Sequence, residues 1–313
     1  MLKALIAGLL FLNPLLSFLI QKDVSPSQAP FLTKKSEFLF SADFKLPLSE
    51  NAFLASQLLL PVSPIRDWNV ANPKISAVAA LVFNTENQIV LFQKDNILAP
   101  RPIASLTKLM TALVALENAK ETDVFTISQN AVAQEGEMGN LVPGEKITLK
   151  NLLYIILVTS SNDAAQAIAE NIPSFVDLMN QKAQTLDLKN TSFKDSSGLD
   201  PANFSSAWEL VKIMEEVLKN PLLSKIMQTQ KITVFSADKK IKHSIESTDK
   251  LLGRVPDVIG GKTGYTEEAG NCMILAIKSP KNDGTIISVV MNSPDRLLEI
   301  ETLINWTKKA YLW

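Results

Sequence analysis

The apolar residues of this chain change rhythm three times. Residues 4–20 form an almost unbroken apolar run, interrupted by Gly8, Asn13, Pro14 and Ser17, with Lys3 before it and Lys22 and Asp23 after it. Such a run at the amino terminus predicts a secretion signal or a short membrane anchor over residues 1–22. Ser25-Pro26-Ser27 is the best candidate for cleavage, but no small-x-small site is obvious, and retention as an anchor is favoured. Residues 23–74 carry Pro26, Pro30, Pro47, Pro61, Pro64 and Pro73 without a sustained period, and are expected to form a linker. Within them, the apolar patch 53–62 leaves open whether the linker packs back on the domain C-terminal to it.

From Ile75 the pattern becomes globular. β-rich runs at 77–83 and 88–94, joined by Asn84-Thr85-Glu86-Asn87, predict a hairpin. A 3.6-residue period over 106–116 predicts a helix with Ser105 in the N-cap position. Helices are further predicted at 149–158, 163–169, 175–186 and 207–218. After Pro221 strands are expected to return, at 231–235, 258–263, 272–277 and 285–291. A last amphipathic helix follows Pro294, with Leu297, Ile300 and Ile304 on one face. Strands at both ends with helices between them predict one α/β domain over 75–313: an antiparallel sheet flanked by helices, closed by the C-terminal helix, with an all-helical insertion.

Composition removes several chemistries. Hydrophobic residues are 46% and charged residues 20% of the 313, a globular balance, and the net charge of -1 leaves no electrostatic footprint for nucleic acid. Neither GxGxxG nor GxxxxGK[ST] occurs, so no phosphate-binding loop is predicted. One histidine, His243, and one cysteine, Cys272, are too few for an internal disulfide or a His/Cys zinc site, and no metal or cofactor is expected. A Ser-His-Asp triad would have to run through His243, which sits in the polar stretch 239–247 with no nucleophile elbow nearby. Nucleophilic catalysis would therefore need a base other than histidine.

Ser105-Leu106-Thr107-Lys108 supplies one, because serine and lysine at i and i+3 share a helical face. A lysine whose charge is disfavoured by burial can activate a serine. Ser236-Ala237-Asp238-Lys239 and Ser247-Thr248-Asp249-Lys250 match the same spacing but lie in polar stretches. The apolar face Leu106, Leu109, Met110, Leu113 and Val114 singles out the first. Ser160-Ser161-Asn162 follows the apolar run 152–158, at the end of a buried helix. The Ser160 hydroxyl could relay a proton from Lys108 to a leaving amine, and the Asn162 amide could hold a substrate carbonyl. A plain helix cap explains the triplet equally well, and Ser49-Glu50-Asn51 and Ser128-Gln129-Asn130 share its pattern. Lys262-Thr263-Gly264 occurs once, preceded by Gly260-Gly261 and followed by Tyr265. A cation and a hydroxyl on an edge strand suit a substrate carboxylate, and the glycines let a peptide approach the backbone; a turn between strands is the plainer alternative.

Taken together, these motifs resemble the penicillin-binding and serine β-lactamase superfamily, whose signature set is S-x-x-K, S-D-N and K-T-G. The resemblance is strongest to the low-molecular-mass D-alanyl-D-alanine carboxypeptidases, through Ser160-Ser161-Asn162-Asp163-Ala164-Ala165, through 262–270, and through Gly198-Leu199-Asp200 and Ser205-Ser206-Ala207. It covers about residues 70–313. It implies Ser105 as the acylated nucleophile, Lys108 as its base, and Ser160 and Asn162 as proton relay and positioning pair. Lys262, Thr263 and Gly264 would face the substrate carboxylate, and the backbone N–H groups of Ser105 and Tyr265 would form the oxyanion hole. Arg296 falls where such enzymes place an arginine for the terminal carboxylate, although a surface arginine at a helix start fits as well. Ser161 stands where glycine is usual. The implied substrate is a peptidoglycan stem peptide ending in D-Ala-D-Ala, with β-lactams as covalent inhibitors, outside the cytoplasm and tethered by the N-terminal segment.

Three activities fit this pattern to different degrees. A DD-carboxypeptidase and a crosslink-cutting DD-endopeptidase use the same chemistry on different leaving amines. A serine β-lactamase would need a Glu-x-x-Leu-Asn segment to activate water, and the nearest string, Glu216-Val217-Leu218-Lys219-Asn220, has lysine in place of leucine inside a continuous predicted helix. A non-enzymatic wall-binding protein would have no reason to keep Ser105, Lys108, Ser160, Asn162 and Lys262 together.

Overall fold

The computed structural model describes residues 64–281 and 284–313; the expected signal or anchor and most of the expected linker lie outside them. In chain order the elements begin with the short strand β1 (Ile65–Arg66), β2 (Ala79–Asn84), β3 (Ile89–Lys94) and β4 (Arg101–Pro102). A 3-10 turn, Ala104–Leu106, leads into α1 (Thr107–Asn118). Next are β5 (Val124–Thr126), α2 (Gln129–Val132), β6 (Lys146–Thr148), α3 (Leu149–Val158), α4 (Asn162–Asn171) and α5 (Phe175–Thr185). Then come β7 (Phe204–Ser205), α6 (Ala207–Lys219), α7 (Pro221–Met227) and the hairpin β8 (Lys231–Phe235) with β9 (Lys242–Glu246). The chain closes with β10 (Val258–Thr266), β11 (Gly270–Lys278), β12 (Thr285–Ser293), α8 (Arg296–Ala310) and β13 (Tyr311–Leu312).

The central sheet has five strands in the order β10-β11-β12-β2-β3, all antiparallel. Both faces are covered, which is why β2 reads Ala-Ala-Leu-Val-Phe-Asn without alternation and is buried at every position. Side chains of odd and even register go to different cores. Ala80, Val82, Leu275, Ile277 and Val290 pack on Ile300, Leu303 and Ile304 of α8. Leu81, Phe83, Ile274, Ala276 and Val289 face the helical layer of α1, α3 and α6. The expected α/β architecture, an antiparallel sheet flanked by helices, is the one observed, but the insertion is not all helical, since it also carries the two-stranded pairs β4–β7, β5–β6 and β8–β9. In that sheet β10, which carries Lys262-Thr263-Gly264, is an edge strand.

Two local expectations are corrected, and one element is added. Ser105 does not cap α1: it sits inside the 3-10 turn, the helix starts at Thr107, and no side chain caps either element. The strand expected at 231–235 is β8, and between Pro221 and it lies a helix the pattern does not predict, α7, with Pro221 in its first turn and Asn220 accepting from Leu222 and Leu223 N–H at 3.0 and 3.1 Å. Asparagine followed by proline is a helix start, because proline lacks a donor the first turn would leave unpaired. The linker expected over 23–74 also ends earlier. From Ile65 the chain pairs with β13, Asp67 N–H donates to Ala310 O at 2.8 Å, and Trp306 Nε1 donates to Ala71 O at 2.8 Å. Arg66 lies over the rings of Trp68, Trp306 and Tyr311, 5.3, 5.0 and 5.7 Å from their centroids. Most of these partners are more than two hundred residues away in sequence, so no local period betrays the pairing.

Candidate active site

Four elements converge on one cavity of about 380 Å³, lined among others by Ser105, Ser160, Asn162, Thr263, Gly264, Tyr265 and Arg296. Ser105 comes from the 3-10 turn and Lys108 from the first turn of α1. Ser160 lies in the connection between α3 and α4 with φ +64°, and Asn162 opens α4. Lys262 to Tyr265 belong to β10, and Arg296 is the first residue of α8. Close packing of the strand on the nucleophile turn requires small residues. A Cβ at Gly264 would lie 3.0 Å from Ser105 N, and one at Gly198, whose φ is +88°, would lie 1.9 Å from Ala104 O.

Lys108 is fully buried, yet its amine meets three acceptors: Ser105 Oγ at 2.8 Å, Asn162 Oδ1 at 2.7 Å and Ser197 O at 2.6 Å. Burial pulls its pKa down from the ordinary lysine value to about 7, against the carboxylates of Asp195, Glu137 and Asp163, which raise it. A neutral amine donating to Asn162 and Ser197 keeps a lone pair for the Ser105 proton. Lys262 is buried as well and donates to Ser160 Oγ at 2.7 Å and to Thr263 O at 2.8 Å. Burial, reinforced by the positive charges of Lys108 and Arg296, holds its pKa well below the lysine range. Arg296 Nη1 donates to Gly264 O at 2.7 Å, and Thr263 Oγ1 donates to Thr248 Oγ1 at 3.1 Å. Tyr265 is 60% exposed at the rim.

All nine residues singled out in the sequence therefore come to one place, although Ser160 takes Lys262 and not Lys108 as its hydrogen-bond partner. Of the competing matches, Ser49-Glu50-Asn51 lies outside the described residues, and the others do not join the site. Ser236 donates to Asp238 in the turn of the β8–β9 hairpin, and Lys250 donates to the Ser247 carbonyl rather than its hydroxyl. Ser128 is an ordinary cap, accepting from Ala131 N–H at 2.9 Å. Glu216 lies within α6 and pairs with exposed Lys219. His243, on β9, is buried against Glu145 at 2.8 Å, remote from the Ser105 cavity.

The sequence pattern assigns no role to Asp195 and Ser197. Asp195 Oδ1 accepts from the backbone N–H and the hydroxyl of Ser197 at 2.6 and 2.9 Å, and its Oδ2 accepts from Asp200 N–H at 2.6 Å. It thereby shapes the loop whose Ser197 carbonyl holds Lys108. The run Asp195-Ser196-Ser197-Gly198 is a turn signal in retrospect, since aspartate bonds its own backbone two residues on.

Comparison with known proteins gives a consistent result. The profile of the peptidase S11 family, described as D-alanyl-D-alanine carboxypeptidase, matches residues 67–295. A D-alanyl-D-alanine carboxypeptidase of Bacillus subtilis is 35% identical over 250 residues, covering 75% of this chain and 63% of the relative. The chain thus spans less than two thirds of that relative's length. A D-alanyl-D-alanine endopeptidase of Pseudomonas aeruginosa is 32% identical over 219 residues, 67% of this chain and 70% of the relative. The crystal structure of the Streptomyces K15 DD-transpeptidase superposes with a TM-score of 0.71 at 28% identity, covering 77% of this chain and all of that one.

Proposed function

This chain belongs to the D-alanyl-D-alanine carboxypeptidase family, peptidase S11, and on that premise we propose that it is a serine DD-carboxypeptidase trimming peptidoglycan stem peptides. The observation that carries the reading is a pair of hydrogen-bonded sets at one cavity, in which buried Lys108 holds both Ser105 and Asn162 while Lys262 holds Ser160. Neutral Lys108 takes the proton of Ser105 as its Oγ attacks the carbonyl of the penultimate D-Ala. The oxyanion is met by the backbone N–H groups of Ser105 and Tyr265. Ser160, whose oxygen accepts from Lys262, gives its own proton to the leaving amine and regains one from Lys108, which returns to the neutral form. The C–N bond breaks, D-Ala departs, and the peptide stays as an ester on Ser105. Water, deprotonated by Lys108, then cleaves that ester and releases the shortened peptide. Thr263, Lys262 and Arg296 hold the terminal carboxylate through charge-assisted hydrogen bonds, with Gly264 keeping the strand close to Ser105.

A DD-endopeptidase is the second reading, favoured by the similarity to the Pseudomonas protein. It differs only in the leaving amine, which would belong to a crosslinked peptide. A β-lactamase finds less support, because Glu216 is not among the residues lining the cavity and its string runs on inside α6. β-Lactams are expected to trap Ser105 rather than be turned over. Such a substrate lies outside the cytoplasm, in keeping with export or anchoring by residues 1–22. Among the described residues no helix is long and apolar enough to cross a membrane.

Intact-mass measurement and peptide mapping after penicillin treatment test the nucleophile, with the label expected on Ser105 and absent from Ser105→Ala. A label on Ser236 or Ser247 would defeat the assignment. Free D-Ala released from a linear stem peptide, compared with cleavage of a crosslinked dimer, separates the two activities.

A further inference from the structure

The loop that carries Glu137 is fixed to the Ser160-Ser161-Asn162 turn. Asn162 donates its backbone N–H to Glu137 O at 2.7 Å and its side-chain amide to Glu135 O at 2.6 Å. A little further on, the N–H groups of Gly139 and Leu141 donate to the two oxygens of buried Asp163, at 2.8 and 3.1 Å. These four bonds set the backbone at Glu137 as firmly as that of the motif itself. The side chain is exposed, lines the cavity, and makes no hydrogen bond or ion pair to another described residue. An acid with no structural partner, presented by a clamped loop into a cavity, is available for a ligand.

Its setting gives the ligand's sign and place. The other charged side chain in the cavity lining is Arg296, and the amines bonded to Ser105 and Ser160 belong to Lys108 and Lys262. The charge of Glu137 reaches all three cations, raising the pKa of each. Arg296 and β10 take the substrate's terminal carboxylate in the proposed DD-peptidase reaction, on the leaving side of the scissile bond. Asn162 takes a carbonyl on the acyl side, and Glu137 is tied to Asn162. The cavity lining therefore holds one anion-seeking and one cation-seeking side chain, which disfavours a peptide bound the wrong way round.

We infer, on the premise of that DD-peptidase reaction, that Glu137 is a specificity residue that binds a primary ammonium group on the acyl part of the peptide substrate. The contact is an exposed charge pair, so its worth is modest and screened by salt.

Three D-Ala-D-Ala peptides with one lysine on the acyl side test it: side-chain amine free, acetylated or succinylated. In low salt the wild-type protein is expected to favour the free amine over the acetylated form by roughly 2- to 5-fold in kcat/KM. The succinylated form should be poorest, and the preference should shrink as sodium chloride is added. Glu137→Gln should bring the free-to-acetylated ratio close to one, Glu137→Asp should keep the preference, and Glu137→Lys should favour the succinylated peptide. A wild-type ratio near one overturns the inference, as does a preference that survives Glu137→Gln or an equal loss on all three peptides. Labelling of wild-type Ser105 by a β-lactam without a side-chain amine separates this from its premise. Without a label the DD-peptidase reading itself fails; with a label and a flat ratio, only the role of Glu137 does.

Discussion

Lys108 and Lys262 occupy neighbouring buried positions, and burial weakens the charge of both, but their partners differ. With its pKa near 7, Lys108 is half deprotonated at neutral pH. Acylation of Ser105 by a β-lactam should therefore rise with pH through a limb near 7 and flatten above it. Linkage has a matching sign: between about 7 and about 10.4 the unfolded chain holds a proton on Lys108 that the folded chain does not, so this group's cost to folding fades as pH rises through that window. Asp195 is the largest of the charges raising the Lys108 pKa. In Asp195→Asn the limb should move to lower pH, which stopped-flow acylation across a pH series would show; an unmoved limb would mean that Asp195 only shapes its loop. Arg296 calls for a different test. Arg296→Ala should lower kcat/KM on an acyl-D-Ala-D-Ala peptide by roughly 10- to 100-fold, the worth of one charge-assisted bond. Amidating the peptide should harm the wild type similarly and the mutant little further. Two independent losses would instead mark a structural arginine that merely braces Gly264 through its carbonyl.

At the level of elements, the site sits where regular structure stops. Ser105 is held in a 3-10 turn after Ala104, whose φ is +46°, and Ser160 has a φ of +64° between α3 and α4. Left-handed backbone costs a residue with a Cβ about 1 kcal/mol or more. Glycine would relieve that cost at position 160 while adding its own entropic cost, so Ser160→Gly should change stability by no more than about 1 kcal/mol. D-Ala release should nevertheless fall by roughly 100-fold, as expected for loss of a proton-transfer group. Thermal melting and turnover of one preparation measure both. A large loss of stability without loss of rate would reassign Ser160 to a structural role. In the hairpin β8–β9, β8 falls at the predicted 231–235, whereas β9 is a strand for which the sequence carries little local signal. Val234, His243 and Ile245 are buried in the hairpin, and its inward positions are filled partly by a histidine bound to Glu145.

For the whole molecule, the two ends of the described chain close on one another. β1 pairs with β13, and Arg66 is boxed by Trp68, Trp306 and Tyr311. A protein shortened to begin at residue 75 loses this clasp and should be less stable by roughly 2–4 kcal/mol, with Tm lower by about 5–15 °C, while one beginning at 64 keeps it. Equal melting of the two would show that the clasp contributes nothing. This boundary was illegible in the sequence because its partners lie at the far end of the chain, whereas the central strands were legible as short apolar runs buried on both faces, and most helices because burial on one face imposes a period of 3.6. The same division runs through the site. Ser105 and Lys108, Ser160 and Asn162, and Lys262 to Tyr265 are each close in sequence, so side-chain chemistry and helix or strand geometry were enough to single them out. Spacing along a chain carries no record of which pairs meet. Packing of the edge strand against the nucleophile turn joined Lys262 to Ser160, brought Arg296 from the start of α8, and gave Lys108 its third acceptor at Ser197. It also left Glu137 in the wall, on a loop whose place depends on hydrogen bonds to Asn162 and Asp163 rather than on any period of its own.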